Sequence, residues 1–284
     1  LNHVSMPKLT EVTGNISIWN NNLKWMELKT MTKAGGISLA SELIENIELP
    51  DLTEVENDFI VEGCLKREFE DGSTSGYDPP AMKGNLEAFS IPNLQKVGGT
   101  LGVNFIAPLK TIALPKLEEV GNIDCEYLPM AFETIGLEAL RNVDGNMKIC
   151  SVKAVAVIGG YITYNDVLTS LGDLSGLEKV GGVLTLTNFG ALTDISMPSL
   201  KQCGGIWLEG LSSVTTLAIP AVQLQPRPGS RWQQSTSKLV LYWKSYPLLV
   251  FSMPNYKSSL NRMYLFSRIK RPFPKSSSLH PAQD

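Results

Sequence analysis

A ten-residue stretch, Leu114-Pro115-Lys116-Leu117-Glu118-Glu119-Val120-Gly121-Asn122-Ile123, recurs along most of the chain, and this recurrence constrains the fold more than any single residue does. Reduced to essentials it reads apolar-Pro-x-Leu-x-x-Val followed by glycine. Clear copies begin at Met6-Pro7, Leu49-Pro50, Ile91-Pro92 and Met197-Pro198, and weaker ones replace the proline at positions 29, 138 and 175. The proline position falls at 7, 29, 50, 92, 115, 138, 175, 198 and 220, a spacing near 22 residues with two longer gaps of 42 and 37. A unit of this size cannot bury its apolar face alone, so successive units must stack into a solenoid with one continuous core.

Within each unit the apolar residues alternate, which is the period of a strand and not of a helix. Ile16-Ser17-Ile18, Ile37-Ser38-Leu39, Leu184-Thr185-Leu186 and Ile206-Trp207-Leu208 follow the glycines; Phe89-Ser90-Ile91, Ile195-Ser196-Met197 and Leu217-Ala218-Ile219 lead into the proline position. Two short strands per coil are therefore expected, stacked in parallel. The Gly-Gly pairs are expected to supply positive φ at a tight corner. Proline just after a strand end fits its missing N–H. The fold class is all-β, a parallel β-solenoid over residues 1–223.

Two segments break the period. Residues 62–85 are rich in Gly, Ser, Asp and Pro and read as a loop that replaces one degenerate coil; residues 154–173 form a second insertion. Insertions in solenoids project from one face and often carry recognition. Their aromatic and polar residues Phe69, Tyr77, Tyr161, Tyr164 and Asn165 are the candidate contact surface. Asn residues also recur at strand ends, in Trp19-Asn20-Asn21-Asn22 and at Asn104 and Asn188. They read first as side chains that hydrogen-bond backbone at coil corners, with a stacked polar ligand site as the alternative.

Charge divides the chain in two. Residues 224–284 carry ten Lys or Arg and one acid, a net +9, which leaves −12 on residues 1–223. The basic part contains a single glycine and no repeat, and reads as an unstructured extension or a gene-model artefact. Binding of nucleic acid or anionic lipid by this tail is the weaker alternative, and no nucleic-acid partner is expected. The chain starts at Leu1 without a leader pattern and reads as a fragment or a mature form, with no apolar run of membrane-spanning length.

The inventory of reactive side chains excludes several chemistries. His3 and His280 are the only histidines, so no His-based triad or multi-histidine metal site fits inside the repeats. Cys64, Cys125, Cys150 and Cys203 form no Cys-x-x-Cys pair; Cys125 and Cys203 occupy apolar repeat positions, and no disulfide framework is expected. The glycine pairs lack the Lys-Ser or Lys-Thr of a phosphate loop. Glu11, Glu54, Glu118, Glu119 and Glu178 share one part of the repeat, and this recurrence reads as a solvated acidic ridge. Capture of calcium by that ridge is a minor alternative, and neither cofactor nor catalytic residue is assigned.

The skeleton Leu-Pro-x-Leu-x-x-Val-Gly-Gly, seen at 91–99, 114–121 and 197–205, resembles the receptor L-domain type of leucine-rich repeat, most closely its members among surface leucine-rich proteins of gut Bacteroidetes. The resemblance covers about residues 4–223. It implies a right-handed β-solenoid, extracellular or cell-surface placement, and non-catalytic binding of a protein or glycan by a monomer. The rival readings are a polysaccharide-active solenoid enzyme, which would need clustered carboxylates on adjacent coils, and a structural spacer of the cell envelope.

Overall fold

A computed structural model describes residues 1–20, 22–63, 84–152, 154–155, 162–163, 165–219, 223–224 and 242–244. It shows an all-β solenoid of about eight coils, built from parallel strands with the 22-residue spacing. Eight long strands form one continuous ladder, and we label them in chain order. They are β1 (Glu11–Trp19), β2 (Lys33–Ala40), β3 (Phe59–Glu62), β4 (Lys96–Asn104), β5 (Glu119–Leu128), β6 (Met147–Ser151), β7 (Lys179–Thr187) and β8 (Gln202–Glu209). In the third and sixth coils a short leading strand, Glu54–Val55 or Asn142–Val143, completes the ladder ahead of β3 or β6. A second face is made of three-residue strands such as Ala88–Ser90, Thr111–Ala113 and Thr134–Gly136.

Beyond the glycine bend, equivalent residues stay aligned along the stack. Ile16, Ile37, Phe59, Leu101, Ile123, Met147, Leu184 and Ile206 lie one above another on successive coils. From Ile37 onward each of these is at most 4 % exposed. A parallel register is what an identical repeat dictates, because equivalent residues then meet and the apolar column closes without gaps. Phe59 and Phe89 join the two faces inside the core, edge to face with centroids 5.5 Å apart.

The Leu-Pro-x-Leu segment is a four-residue turn closed by the amide of its last leucine, as in Leu52 N–H to the Leu49 carbonyl (3.3 Å) and Leu117 N–H to Leu114 (3.1 Å). Proline therefore sits at the second position of a β-turn, where its fixed φ is already correct. Both flanking leucines are buried.

The Gly-Gly pairs do not supply positive φ. Among the described residues the glycines with positive φ are Gly84, Gly172 and Gly210, none of which belongs to a pair. The pairs are instead places where coils touch backbone to backbone. A Cβ on Gly98 would lie 2.0 Å from the Glu56 carbonyl oxygen, and one on Gly181 2.0 Å from that of Asp144. The ladder shifts register at this bend, between Val12 and Asn15 and between Val180 and Val183, and the bend presses carbonyls inward. The neighbouring position carries a second code. Asn122 Oδ1 accepts from the amide of Asn146 (2.9 Å), and Asn146 Oδ1 from that of Val183 (2.9 Å). Asp58 Oδ1 accepts from the amide of Thr100 (2.6 Å). The residue above each such side chain must be small, which is why Gly-Asn in one coil is answered by glycine in the next.

The acidic ridge is also corrected. Glu11, Lys33, Glu54, Lys96, Glu119, Asn142, Lys179 and Gln202 face one another in register, so acid and base alternate over the first five coils and no acid stands in the last three. Lys33 Nζ lies 2.9 Å from Glu54, Lys96 3.5 Å from Glu119, and Lys201 2.7 Å from Glu178. The sequence shows the acids at one repeat position; the lysines at the same position in alternate coils neutralise them.

Past residue 219 the backbone still adds strands to the end of the ladder, Gln223–Leu224 and Tyr242–Lys244 both pairing in parallel with β8. Among the described residues no helix is long and apolar enough to cross a membrane.

Candidate functional site

The long strands all end at one corner, and the local chemistry there sets its shape. Phe105, Tyr127 and Asn188 adopt left-handed φ of 60°, 56° and 67°, and Gly210 takes 66° at the equivalent place in the last coil. The non-glycine members bear a strain that side chains of the coil must offset. Asn104 Oδ1 accepts from the amide of Glu126 (2.7 Å), and Asn188 Nδ2 donates to the Ser151 carbonyl (2.7 Å). Ser151 Oγ donates to the Leu128 carbonyl at 2.9 Å. The corner-binding reading of these Asn side chains is what the structure contains.

Both insertions depart from this corner. The first leaves after Gly63, whose amide donates to the Asn104 carbonyl (3.0 Å), and rejoins at Gly84, whose amide reaches the Glu42 carbonyl (2.9 Å). The second leaves after Val152, held by the Leu128 carbonyl (2.9 Å), and rejoins at Asn165, held by the Asn188 carbonyl (3.0 Å). Within it, Ala154–Val155 and Ile162–Thr163 pair antiparallel as a small hairpin. In the stack, one insertion follows the third coil and the other the sixth. The fourth and fifth coils lie between them, and at their corners Phe105 and Tyr127 stack face to face, centroids 4.3 Å apart and planes 22° from parallel.

Of the residues nominated from sequence, Phe69, Tyr77, Tyr161 and Tyr164 lie outside the described residues. Asn165 is fully buried. Its Nδ2 donates to the carbonyls of Pro129 (3.1 Å) and Phe132 (2.9 Å), and its Oδ1 accepts from the amides of Val167 (3.0 Å) and Leu168 (2.9 Å). All the hydrogen-bonding capacity of the amide at those atoms is spent on the fold, so Asn165 restarts the coil and offers nothing to a partner. Leu168 and Leu171, from the later part of the same segment, are core residues. Phe105 and Tyr127 were missed. Their signal is an aromatic directly after Asn104, which ends β4, and directly after Glu126 near the end of β5, visible only once the two coils are known to be neighbours.

The electrostatics of the corner and its sheet are mixed. Asp124 and Lys148 stand in one outward column with Gly102, and Lys148 pairs with Glu126. Asp124 Oδ1 is the one buried side-chain oxygen among the described residues that lacks a hydrogen-bond partner. Elsewhere carboxylates meet cations. Hydrogen bonding to Lys33 lowers the Glu54 carboxyl below its ordinary value, and that to Lys201 lowers Glu178. A general acid needs the opposite shift. The thiols of Cys125, Cys150 and Cys203 are free; burial pushes Cys125 up to about 12 and raises the other two. None is a nucleophile at neutral pH. Compared with known proteins, the chain matches no family model, no curated protein and no solved structure.

Proposed function

We propose that this chain is a non-catalytic recognition module of the cell surface or extracellular space, related in architecture to receptor L-domain leucine-rich repeats. It binds a protein or glycan partner at the corner where its insertions emerge. The observation that carries the reading is the common exit of residues 64–83 and 153–164, which frames the stacked Phe105–Tyr127 pair on two regular coils. Recognition elements on loops held by a rigid scaffold are the usual way such folds bind. Half-buried Tyr127 is the accessible ring of the pair, held in place by Phe105, which is buried at 8 % exposure, so it has little rotamer entropy to lose. The alternating Glu–Lys columns favour binding over polysaccharide cleavage, since they hold carboxylates ionised and paired with cations.

The test is a glycan array and direct binding to intact cells, run with the wild-type chain, with Tyr127→Ala, and with residues 64–83 replaced by a short Gly-Ser linker. Circular dichroism melting checks that each variant is folded. Ligands bound by the wild type and lost in both variants support the corner. Ligands retained equally by all three place recognition elsewhere, and release of reducing sugar from a bound polysaccharide transfers the chain to the enzyme class.

A further inference from the structure

One triplet in the chain has the form Asn-x-Ser or Asn-x-Thr with x other than proline, namely Asn15-Ile16-Ser17 in β1. Such a triplet accepts N-linked carbohydrate when its asparagine stands at the surface of an exported protein. Three-residue matches also arise by chance, so the structural setting decides. Strand alternation puts Asn15 and Ser17 on one face and Ile16 on the other; both polar residues are exposed, while Ile16 packs against the core. This exposure belongs to the repeat position and not to the end of the stack. Asp58 and Asn146 stand in the same place, immediately before a core residue of the long strand, and are exposed although coils lie on both sides of them.

At this position the fold uses the side-chain oxygen and leaves the nitrogen. Asp58 fills it with a carboxylate whose Oδ1 accepts from the Thr100 amide, so no nitrogen is needed there at all. Asn122 Oδ1 accepts from the Asn146 amide, and its Nδ2 has no hydrogen-bond partner among the described residues although coils lie on both sides. Asn15 is placed in the same way. A Cβ on Gly36, its register partner, would lie 2.5 Å from Asn15 Oδ1 and 3.1 Å from its Cγ, so the carbonyl end of the amide rests on the next coil. Among the described residues Asn15 Nδ2 and Ser17 Oγ have no hydrogen-bond partner either.

We propose that Asn15 is an N-glycosylation site, with the exported placement argued above as its condition. The donor is an oligosaccharide carried on a lipid diphosphate. The bond from the sugar C1 to the phosphate oxygen breaks, C1 bonds to Asn15 Nδ2, the amide gives up one proton, and the lipid diphosphate leaves with the electron pair. The Ser17 hydroxyl, two residues on and on the same face, is the group by which a transferase recognises the triplet. Because the sugar replaces a hydrogen on Nδ2, Oδ1 keeps its place over Gly36 and the coil contact survives. The carbohydrate then stands on the outward face of β1 and β2, beside Ser17 and its register partner Ser38, and leaves the corner of the fourth and fifth coils clear.

The full chain, translated behind a secretory leader in the presence of microsomal vesicles, is expected to gain mass that peptide N-glycosidase removes. The gain should be lost completely in Asn15→Gln and in Ser17→Ala, and kept in Ser17→Thr. Resistance to added protease shows that each chain has entered the vesicles. A protected wild-type chain without added mass overturns the proposal, and so does a gain that persists in Asn15→Gln. The glycosylated chain should also melt as cooperatively as Asn15→Gln by circular dichroism; loss of the transition in the glycosylated chain alone overturns the proposal too, since Nδ2 would then belong to the fold. These outcomes are read without any ligand, so failure at Asn15 leaves the corner reading standing, and failure of the corner in the glycan array leaves the mass gain to be read.

Discussion

Replacing Gly98 by alanine sets two physical effects of opposite sign against each other. Gly98 does not have a positive φ, so alanine is conformationally allowed there and reduces the freedom of the unfolded chain. By itself that stabilises a protein by about 0.4–1 kcal/mol. Against it stands the stacked neighbour: the added Cβ would sit 2.0 Å from the Glu56 carbonyl oxygen and 3.0 Å from its carbonyl carbon. The obstacle is backbone, itself tied to the coil below through the Glu56 amide and the Ala34 carbonyl (3.0 Å), so it cannot rotate away as a side chain would. Overpacking of this kind costs about 1–3 kcal/mol and exceeds the entropic gain. For a domain of this length each kcal/mol moves Tm by roughly 2–4 °C, so a fall of several degrees is expected. Gly14 is the internal control, since a Cβ there meets nothing within 4 Å and its φ is not positive. Gly14→Ala should leave stability unchanged or raise it slightly. Urea denaturation of both variants reads the result. If Gly98→Ala is as stable as wild type, or if Gly14→Ala is equally destabilising, the inference that the Gly-Gly pairs exist for coil contact is refuted.

Three further outcomes are expected. Val120→Asp places a carboxylate in a core column, where an unpaired charge costs several kcal/mol, and should abolish the cooperative thermal transition seen by circular dichroism; an unchanged melt would show that Val120 does not point inward. Asn165→Ala leaves two carbonyls and two amides at a buried corner without their partners, a loss of about 3 kcal/mol, and hydrogen exchange should show Val167 and Leu168 losing protection before the distant coils do. For pH, Glu48, Glu54 and Glu178 are lowered from 4.5, so their stabilisation is present above that value and is lost as pH falls through their folded pKa. Lys29 and Lys33 are raised from 10.5, so theirs is present below that value and is lost as pH rises through the folded pKa. Tm should therefore be flat between these limits with respect to the Glu–Lys pairs, and should fall on both sides. Because the pairs are exposed, high salt should flatten the profile; a profile indifferent to salt would remove the ladder from the account.

Much of the architecture was legible because its causes are local and repeated. The 22-residue period, the alternation of Ile16 and Ile18 or Leu184 and Leu186, and the turn chemistry of Leu49-Pro50-Asp51-Leu52 each lie within a few residues of one another. Stacking then follows from the inability of one coil to bury its own apolar face. The misread features are those whose cause lies one coil away. The Gly-Gly pairs looked like turn glycines because the carbonyl that forbids a side chain on Gly98 belongs to Glu56, 42 residues earlier in chain position. The ridge looked acidic because Glu54 and the lysines that face it, Lys33 and Lys96, are in different repeats. Asn165 looked exposed because it lies in an irregular segment, yet its amide is held by Pro129 and Phe132 in the preceding coil.

What the amino-acid sequence by itself determined is the repeat, the strand period, the inward-facing residues and the two interruptions, since these depend on composition and spacing within a unit. Only the tertiary structure decided which residues of different units meet. It brought the exits of both insertions to one corner and set Phe105 against Tyr127 there. The physical reason is register: strands about 4.8 Å apart in space are separated by 21 to 42 residues of chain, so a one-residue change in stacking would re-pair every column.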